Sequence, residues 1–210
     1  MKTSLLIFST IILVSLQISA QTSSKMTRDF GRPIITDSAS TIIIPTVYDV
    51  PLFTSNKLAL WGNFYSNIIF YNFKTDSSKK LFPNDVYIVS FDKSDYYSYN
   101  SNKKPETNIS SNWIFYRVMN FDRNKNNKID GDDPAILYVS GTHGENIKPL
   151  TSQDENVVDF QIYERQNIAM LKVQRDLNGD GDFTAKDTDY YYVKLDLTTL
   201  TFGQKIELKY

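Results

Sequence analysis

Two stretches of the chain have the spacing of a calcium-binding loop: Asp122 to Asp133 reads DRNKNNKIDGDD, and Asp176 to Asp187 reads DLNGDGDFTAKD. Both lie in the same register of a longer internal repeat, because four ligand positions recur at one offset (176 − 122 = 178 − 124 = 180 − 126 = 187 − 133 = 54). A single such loop could be an ordinary turn, since Asn, Asp and Gly cluster in many β-connections. Two loops in register indicate a repeated unit that binds a metal ion.

The second loop places oxygen ligands at alternate positions, which is how a chain wraps one hard cation such as Ca²⁺. Gly181 occupies position six, where the loop turns sharply and a positive φ costs a residue without Cβ nothing. Position seven normally donates its backbone carbonyl, so Asp182 is assigned as a ligand through its main chain. The predicted ligands at positions one, three, five, seven and twelve are Asp176, Asn178, Asp180, Asp182 and Asp187.

The first loop has Asn127 at position six, and Asn tolerates the left-handed region better than most residues. Both loops carry an apolar residue at position eight, Ile129 and Phe183, which can anchor the loop to a core beneath it. Both end in aspartate where the EF-hand has a bidentate glutamate, so we expect weaker binding than in a cytosolic buffer protein. The predicted ligands at positions one, three, five, seven, nine and twelve are Asp122, Asn124, Asn126, Lys128, Asp130 and Asp133.

The first twenty residues have the pattern of a secretory signal peptide. Lys2 gives the positive start, Leu5 to Leu16 the apolar run, and Ile18-Ser19-Ala20 a small-residue cleavage site, so the mature chain is expected to begin at Gln21. The apolar run is too short for a membrane span, and no later stretch approaches twenty apolar residues. The sequence therefore predicts export to the periplasm or the extracellular space, where abundant calcium keeps even weak sites occupied.

The composition fits an exported domain with its own core. The chain has no cysteine, so neither a disulfide framework nor a lipoprotein acylation site is available, and its 41% hydrophobic content must supply the stability. Removal of Lys2 leaves 23 − 1 = 22 basic residues against 24 acidic ones, a net charge of −2. A mixed, near-neutral surface argues against a nucleic acid partner.

Apolar residues in the rest of the chain recur with a period of two, in short runs rich in Ile, Val, Tyr and Phe that Asn, Asp, Gly, Ser and Pro interrupt. We find no convincing amphipathic helix and predict an all-β chain. The predicted strands are Thr41–Tyr48, Lys57–Trp61, Ser66–Phe73, Lys79–Phe82, Val86–Phe91, Asn112–Met119, Ala135–Ser140, Ile147–Leu150, Val157–Tyr163, Ile168–Gln174, Tyr190–Leu195 and Gln204–Leu208.

These strands divide into three groups of four, about 41–82, 86–150 and 157–208. In the second and third groups the calcium loop falls between the second and third strands, where it replaces the tight turn of a β-hairpin. Without an ion the carboxylates of such a loop would repel one another, so calcium is expected to be structural. We predict a single propeller-like domain over residues 41–210, with about three four-stranded antiparallel sheets, after an extended lead-in over residues 21–40.

Two sets of residues resemble known families. The strand from Ala135 to Val139, followed by GTHGENIKPLTS from Gly141 to Ser152, resembles the blade ending of TolB-type, WD-like β-propeller repeats, and NIIFYNFKTDSSKKLF from Asn67 to Phe82 resembles the same unit. The two calcium loops resemble dockerin and EF-hand loops with aspartate at position twelve, here between strands instead of helices. These resemblances imply blades that carry calcium in their hairpins.

Three blades are fewer than a closed propeller usually needs. Residues 21 to 40 could complete another blade edge, the sheets could stack without closing, or the chain could assemble with itself or a partner through an open sheet edge. The sequence leaves these three arrangements open.

The sequence contains no cysteine nucleophile, GxSxG elbow, HExxH motif or Gly-rich phosphate loop, and its only histidine, His143, lies in a GTHG turn. We therefore predict a binding or scaffolding module for a protein or glycan, and not an enzyme. The alternative is a hydrolase-associated carbohydrate-binding domain or a glycan-active enzyme. Its candidate residues are the carboxylates Asp154, Glu155, Asp159 and Glu164, and the tyrosines Tyr96, Tyr97 and Tyr99.

Overall fold

A computed structural model describes residues 27–35, 40–49, 64–92 and 112–208. The predicted signal peptide, the predicted strand Lys57–Trp61 and the tyrosines Tyr96, Tyr97 and Tyr99 lie outside the described residues. Within the described part of the chain, none of the elements is a helix long and apolar enough to cross a membrane.

The described residues form thirteen β-strands and one short 3-10 turn, Glu164–Gln166, and they contain no α-helix. The prediction of an all-β chain is confirmed, and every strand pairing is antiparallel. The strands are β1 Thr27–Phe30, β2 Ile34–Ile35, β3 Thr41–Asp49, β4 Tyr65–Asn72, β5 Ser77–Lys80, β6 Tyr87–Phe91, β7 Trp113–Met119, β8 Ile136–Gly141, β9 Lys148–Pro149, β10 Glu155–Tyr163, β11 Ile168–Arg175, β12 Tyr190–Asp196 and β13 Phe202–Glu207.

The strands belong to two sheets, where three had been expected. The third predicted group is a separate four-stranded sheet in the order β10-β11-β12-β13. The first two groups are joined in a nine-stranded sheet in the order β1-β3-β4-β6-β7-β8-β9, with β2 on β3 and β5 on β4. The joint is narrow, because β4 and β6 share only the pair Tyr65 and Ile88 while β5 pairs with the other half of the same β4 edge.

The residues before Thr41 are more than an extended lead-in. Strands β1 and β2 both pair with β3, in the registers Arg28 to Tyr48 and Ile34 to Ile43. They cover an edge of β3 that would otherwise present unpaired N–H and C=O groups. The described strands form neither a closed barrel nor a closed propeller.

Strand β7 is buried on both faces. Ile114, Tyr116 and Val118 belong to a buried cluster with residues of β2, β3, β4 and β6, whereas Phe115 belongs to a second cluster with residues of β10, β11 and β12. The second group of strands therefore lies between the first group and the four-stranded sheet. This placement explains why β7 reads WIFYRVM, since a strand covered on both faces loses the alternation of polar and apolar residues.

Hydrogen bonds and aromatic contacts fix the middle strands to the four-stranded sheet. The Arg117 side chain donates to the carbonyl of Val157 at 2.8 Å, and the Trp113 indole donates to the carbonyl of Leu197 at 2.8 Å. The Phe115 and Phe160 rings lie 6.2 Å apart. As a result, the β7–β8 and β11–β12 hairpins lie side by side. Residues 122–133 connect the strands of the first hairpin, and residues 176–187 connect those of the second.

The Phe115→Ala substitution is expected to lower the free energy of unfolding by about 3 to 5 kcal/mol, because it removes a fully buried ring between two layers. Urea unfolding followed by circular dichroism measures the change. The matched control is Phe202→Ala, whose ring is 40% exposed and should cost much less. Equal losses in the two variants would contradict the layered packing.

Candidate metal centre

The position-twelve aspartates close both loops in the same way. In the first loop Asp133 accepts the N–H of Arg123 at 2.8 Å on one carboxylate oxygen and the N–H of Asp130 at 3.0 Å on the other. In the second loop Asp187 accepts the N–H of Leu177 at 3.1 Å and the N–H of Thr184 at 3.0 Å. The two residues are 2% and 1% exposed. Each carboxylate therefore bridges positions two and nine of its loop from a buried place.

Side chains at positions one, three and five turn each loop through local hydrogen bonds. At position one, Asp122 accepts the N–H of Asn127 at 2.8 Å, and its counterpart Asp176 accepts the N–H of Gly181 at 3.0 Å. Asn124, Asn126, Asn178 and Asp180 each accept the N–H two residues later. An amide or carboxylate oxygen has two lone pairs, so acceptance of one N–H leaves capacity for a cation.

The backbone reaches the left-handed region at positions four and six of both loops. Lys125 and Asn127 have φ of 61° and 65°, and Gly179 and Gly181 have φ of 75° and 85°. The prediction of a positive φ at position six is confirmed in both loops. The same conformation at position four was not predicted, and Lys125 adopts it without the advantage of a glycine.

The two loops contact each other, which their sequences do not reveal. The Asn124 amide donates to the Asp182 carboxylate at 2.6 Å, and the N–H of Phe183 donates to the carbonyl of Asp132 at 2.7 Å. A Cβ on Gly181 would lie 3.2 Å from the Arg123 carbonyl oxygen and the Asn124 Cα, so this position needs glycine for close packing as well as for its φ.

Two side-chain amides, those of the buried Gln174 and the half-buried Asn156, join the loops to the sheets behind them. Gln174, 4% exposed, donates to the carbonyl oxygens of Thr184 and Asp187 at 2.8 and 2.9 Å. Its own carbonyl accepts the Asn156 amide at 2.9 Å, and Asn156 accepts the N–H of Ala135, just after the first loop, at 3.0 Å. Sequence reasoning missed both residues. The only signal was a Gln that follows the apolar residues Ala169, Leu171 and Val173 at the end of a predicted strand.

Burial raises the pKa of Asp132, and the neighbouring carboxylates of Asp130 and Asp182 raise it further. Burial also raises the pKa of Asp133, against the two backbone N–H donors that lower it. The second loop has four aspartates and one lysine, whereas the first has four aspartates against one arginine and two lysines. The second loop is therefore the more favourable of the two for a cation.

The donor set fits a hard cation, because it combines carboxylate, amide and main-chain oxygens. Within residues 27–35, 40–49, 64–92 and 112–208, no group of three or more His, Cys, Asp or Glu side chains is arranged around a common point. Any ion at these loops would therefore be held partly by Asn side chains and by main-chain carbonyls, as the spacing of the loops requires.

Two of the four carboxylates considered for glycoside chemistry, Asp154 and Glu155, have charged or hydrogen-bonding partners. Asp154 forms an ion pair with Arg123 at 3.2 Å, and Glu155 accepts hydrogen bonds from Tyr191 at 2.8 Å and Lys205 at 3.0 Å. His143 is exposed in the turn between β8 and β9.

We expect the contact between the loops to produce a measurable coupling energy. In a double-mutant cycle of Asn124→Ala and Asp182→Ala, measured by urea unfolding in chelating buffer, the coupling should be about 1 kcal/mol. The matched control is the cycle of Asn124→Ala and Asp180→Ala, because Asp180 hydrogen-bonds within its own loop. Additive losses in the first cycle would mean that the loops do not touch in solution.

No protein-family model matches the chain, and no curated protein is significantly similar to it. The interpretation of the two loops therefore depends on their own geometry.

Proposed function

We propose that this chain is an exported calcium-binding β-repeat protein that acts as a binding or scaffolding module, with calcium in a structural role at both loops. One observation carries the proposal. Two loops from different sheets share the same hydrogen bonds at positions one, three, five and twelve and the same positive φ values at positions four and six. Ordinary turns rich in Asn and Asp would not need to agree at so many positions.

In the second loop, Asp176, Asn178 and Asp180 would hold the ion by their side chains, and Asp182 by its main-chain carbonyl. The corresponding residues of the first loop are Asp122, Asn124, Asn126 and Lys128, the last through its carbonyl. Calcium would supply positive charge that offsets the repulsion among the aspartates and stabilises their ionised forms. The buried aspartates at position twelve would support the loop from behind and bind the ion through their remaining lone pairs.

The position of the loops gives calcium a larger effect than the closing of one hairpin. The first loop extends from the middle strands and the second from the four-stranded sheet, and the two loops hydrogen-bond to each other. Ions at both loops would therefore hold the two sheets in one relative position. The two contacting loops, residues 122–133 and 176–187, would then form a rigid rim, which suits a module that presents a binding surface.

The proposal includes the coarse arrangement and location of the protein. We propose that the stacked groups of strands correspond to propeller-like blades that stay open within one chain, and that the chain is exported to the periplasm or beyond. The partner would be a protein or a glycan, and an open sheet edge would also allow self-association.

Calcium is expected to raise the thermal unfolding midpoint of the mature chain by about 5 to 10 °C for each loop that it occupies. A site of the extracellular class at about one hundred times its dissociation constant contributes about 2.7 kcal/mol, and about 2 to 4 °C accompanies each kcal/mol at this size. Differential scanning calorimetry with calcium and with chelator measures the shift. Absence of any heat in a calcium titration at millimolar concentration would refute the proposal.

Three variants distinguish the effect of calcium binding on stability from the effect of the loop's own hydrogen bonds. Asp180→Asn keeps a side-chain oxygen for the turn, as Asn126 does in the first loop, so it should reduce the calcium shift. The midpoint in chelator should not fall, because the substitution removes one of the repelling carboxylates. Asp187→Ala should lower the midpoint under both conditions, because it also removes the acceptor of two buried N–H groups. Asp76→Ala, in the turn between β4 and β5, is the control and should keep the full shift.

A further inference from the structure

The last described strand is attached to the fold without any buried side chain. All six residues of β13, Phe202–Glu207, are exposed, whereas Tyr191, Val193 and Leu195 of the neighbouring β12 are buried. The register pairs Tyr192 with Ile206 and Val193 with Lys205, and it shifts before Leu195 meets Phe202. A strand with exposed hydrogen bonds and no core contacts belongs to the least stable part of a structure.

A cluster of charges around Tyr191 supplies the side-chain attachment of β13. Lys205 pairs with Glu155 of β10 at 3.0 Å, and Glu207 pairs with Arg175 of β11. Both cations also lie over the Tyr191 ring, with the Lys205 nitrogen at 4.2 Å and the Arg175 guanidinium carbon at 4.5 Å from its centroid. The β12 edge is therefore built for a strand with a basic residue opposite Val193 and an acidic residue opposite Tyr191.

The turn before β13 is strained. Leu200 has φ of 56°, a conformation that costs a residue with a branched side chain and no local polar group more than it costs Gly or Asn. The turn is held by Asp196, whose side chain accepts the N–H groups of Thr198 and Thr199 at 2.9 and 3.0 Å. An extended connection between β12 and β13 would relieve the strain at Leu200.

From these features we propose that two copies of this chain exchange β13 by domain swapping. In each copy β13 leaves the β12 edge as a unit, and the same edge then pairs with β13 of the second copy. The occupant follows from the charge pattern, since Lys205 and Glu207 are the residues that the β12 edge already accommodates. Exchange restores every contact of β13 and removes the strained turn, which is the usual energetic basis of strand swapping. The inference identifies the element behind the proposed self-association and does not depend on calcium.

The first experiment measures the opening of β13 in the full mature chain by hydrogen exchange. Amides of residues 202–207 should exchange at least about tenfold faster than those of β11, which is covered on both edges. An increase in salt from about 20 mM to about 1 M should widen the difference, because it screens the pairs at Glu155 and Arg175. Equal protection of the β13 and β11 amides, at either salt concentration, would overturn the proposal that β13 leaves the β12 edge.

The second experiment changes the turn in opposite directions and measures the oligomeric state by light scattering at chain concentrations up to about 1 mM. Thr201→Pro pushes Leu200 toward extended conformations and should increase the dimer fraction. Leu200→Gly removes the strain and should lower it, with a dissociation constant changed by about tenfold. Lys74→Pro, at an exposed turn elsewhere, serves as the control for a nonspecific effect of proline.

The outcomes distinguish exchange of β13 from self-association through another sheet edge. A dimer that responds to both turn substitutions, with β13 amides protected in the dimer, supports exchange. A dimer that is insensitive to both substitutions would overturn exchange and leave self-association through another edge. A chain that stays monomeric at every concentration, including the Thr201→Pro variant, would overturn both ideas and leave the calcium proposal untouched.

Discussion

The burial of β7 on both faces is the constraint on which the other features depend. Ile114 and Phe115 are adjacent in the chain but pack into different clusters, so the strand that carries them must lie between two layers. That placement sets the β7–β8 hairpin beside β11–β12 and brings their loops into contact. If β7 were covered on one face only, the two loops would not lie close enough to form the hydrogen bond between Asn124 and Asp182.

The rim combines two kinds of interaction with different physical roles. The aspartates at position twelve and the amides of Gln174 and Asn156 satisfy backbone groups that would otherwise be buried without partners. The side-chain oxygens at positions one, three and five accept backbone N–H groups of their own loop and keep spare acceptor capacity. Asp187 therefore supports buried backbone groups, whereas Asp180 accepts an N–H in an exposed part of its loop.

Local features were predictable from the sequence. Eleven of the twelve predicted strands overlap strands in the described part of the chain, with boundaries shifted by one or two residues. For the core strands this follows from the local pattern that a half-buried strand leaves. The turn at position six followed from Gly181 and Asn127. The strand pairing of Ile34 and its neighbours was missed, since two residues are too short for a periodic signal.

The sequence by itself determined the all-β class, the two loops in register and their place in hairpins, because these depend on turn chemistry and on contacts between chain neighbours. Only the tertiary structure decided that Asn124 meets Asp182, that Gln174 closes the second loop, and that β13 has no buried side chain. Such contacts join residues far apart in the chain, and they arise from the stacking of layers, which no local pattern records.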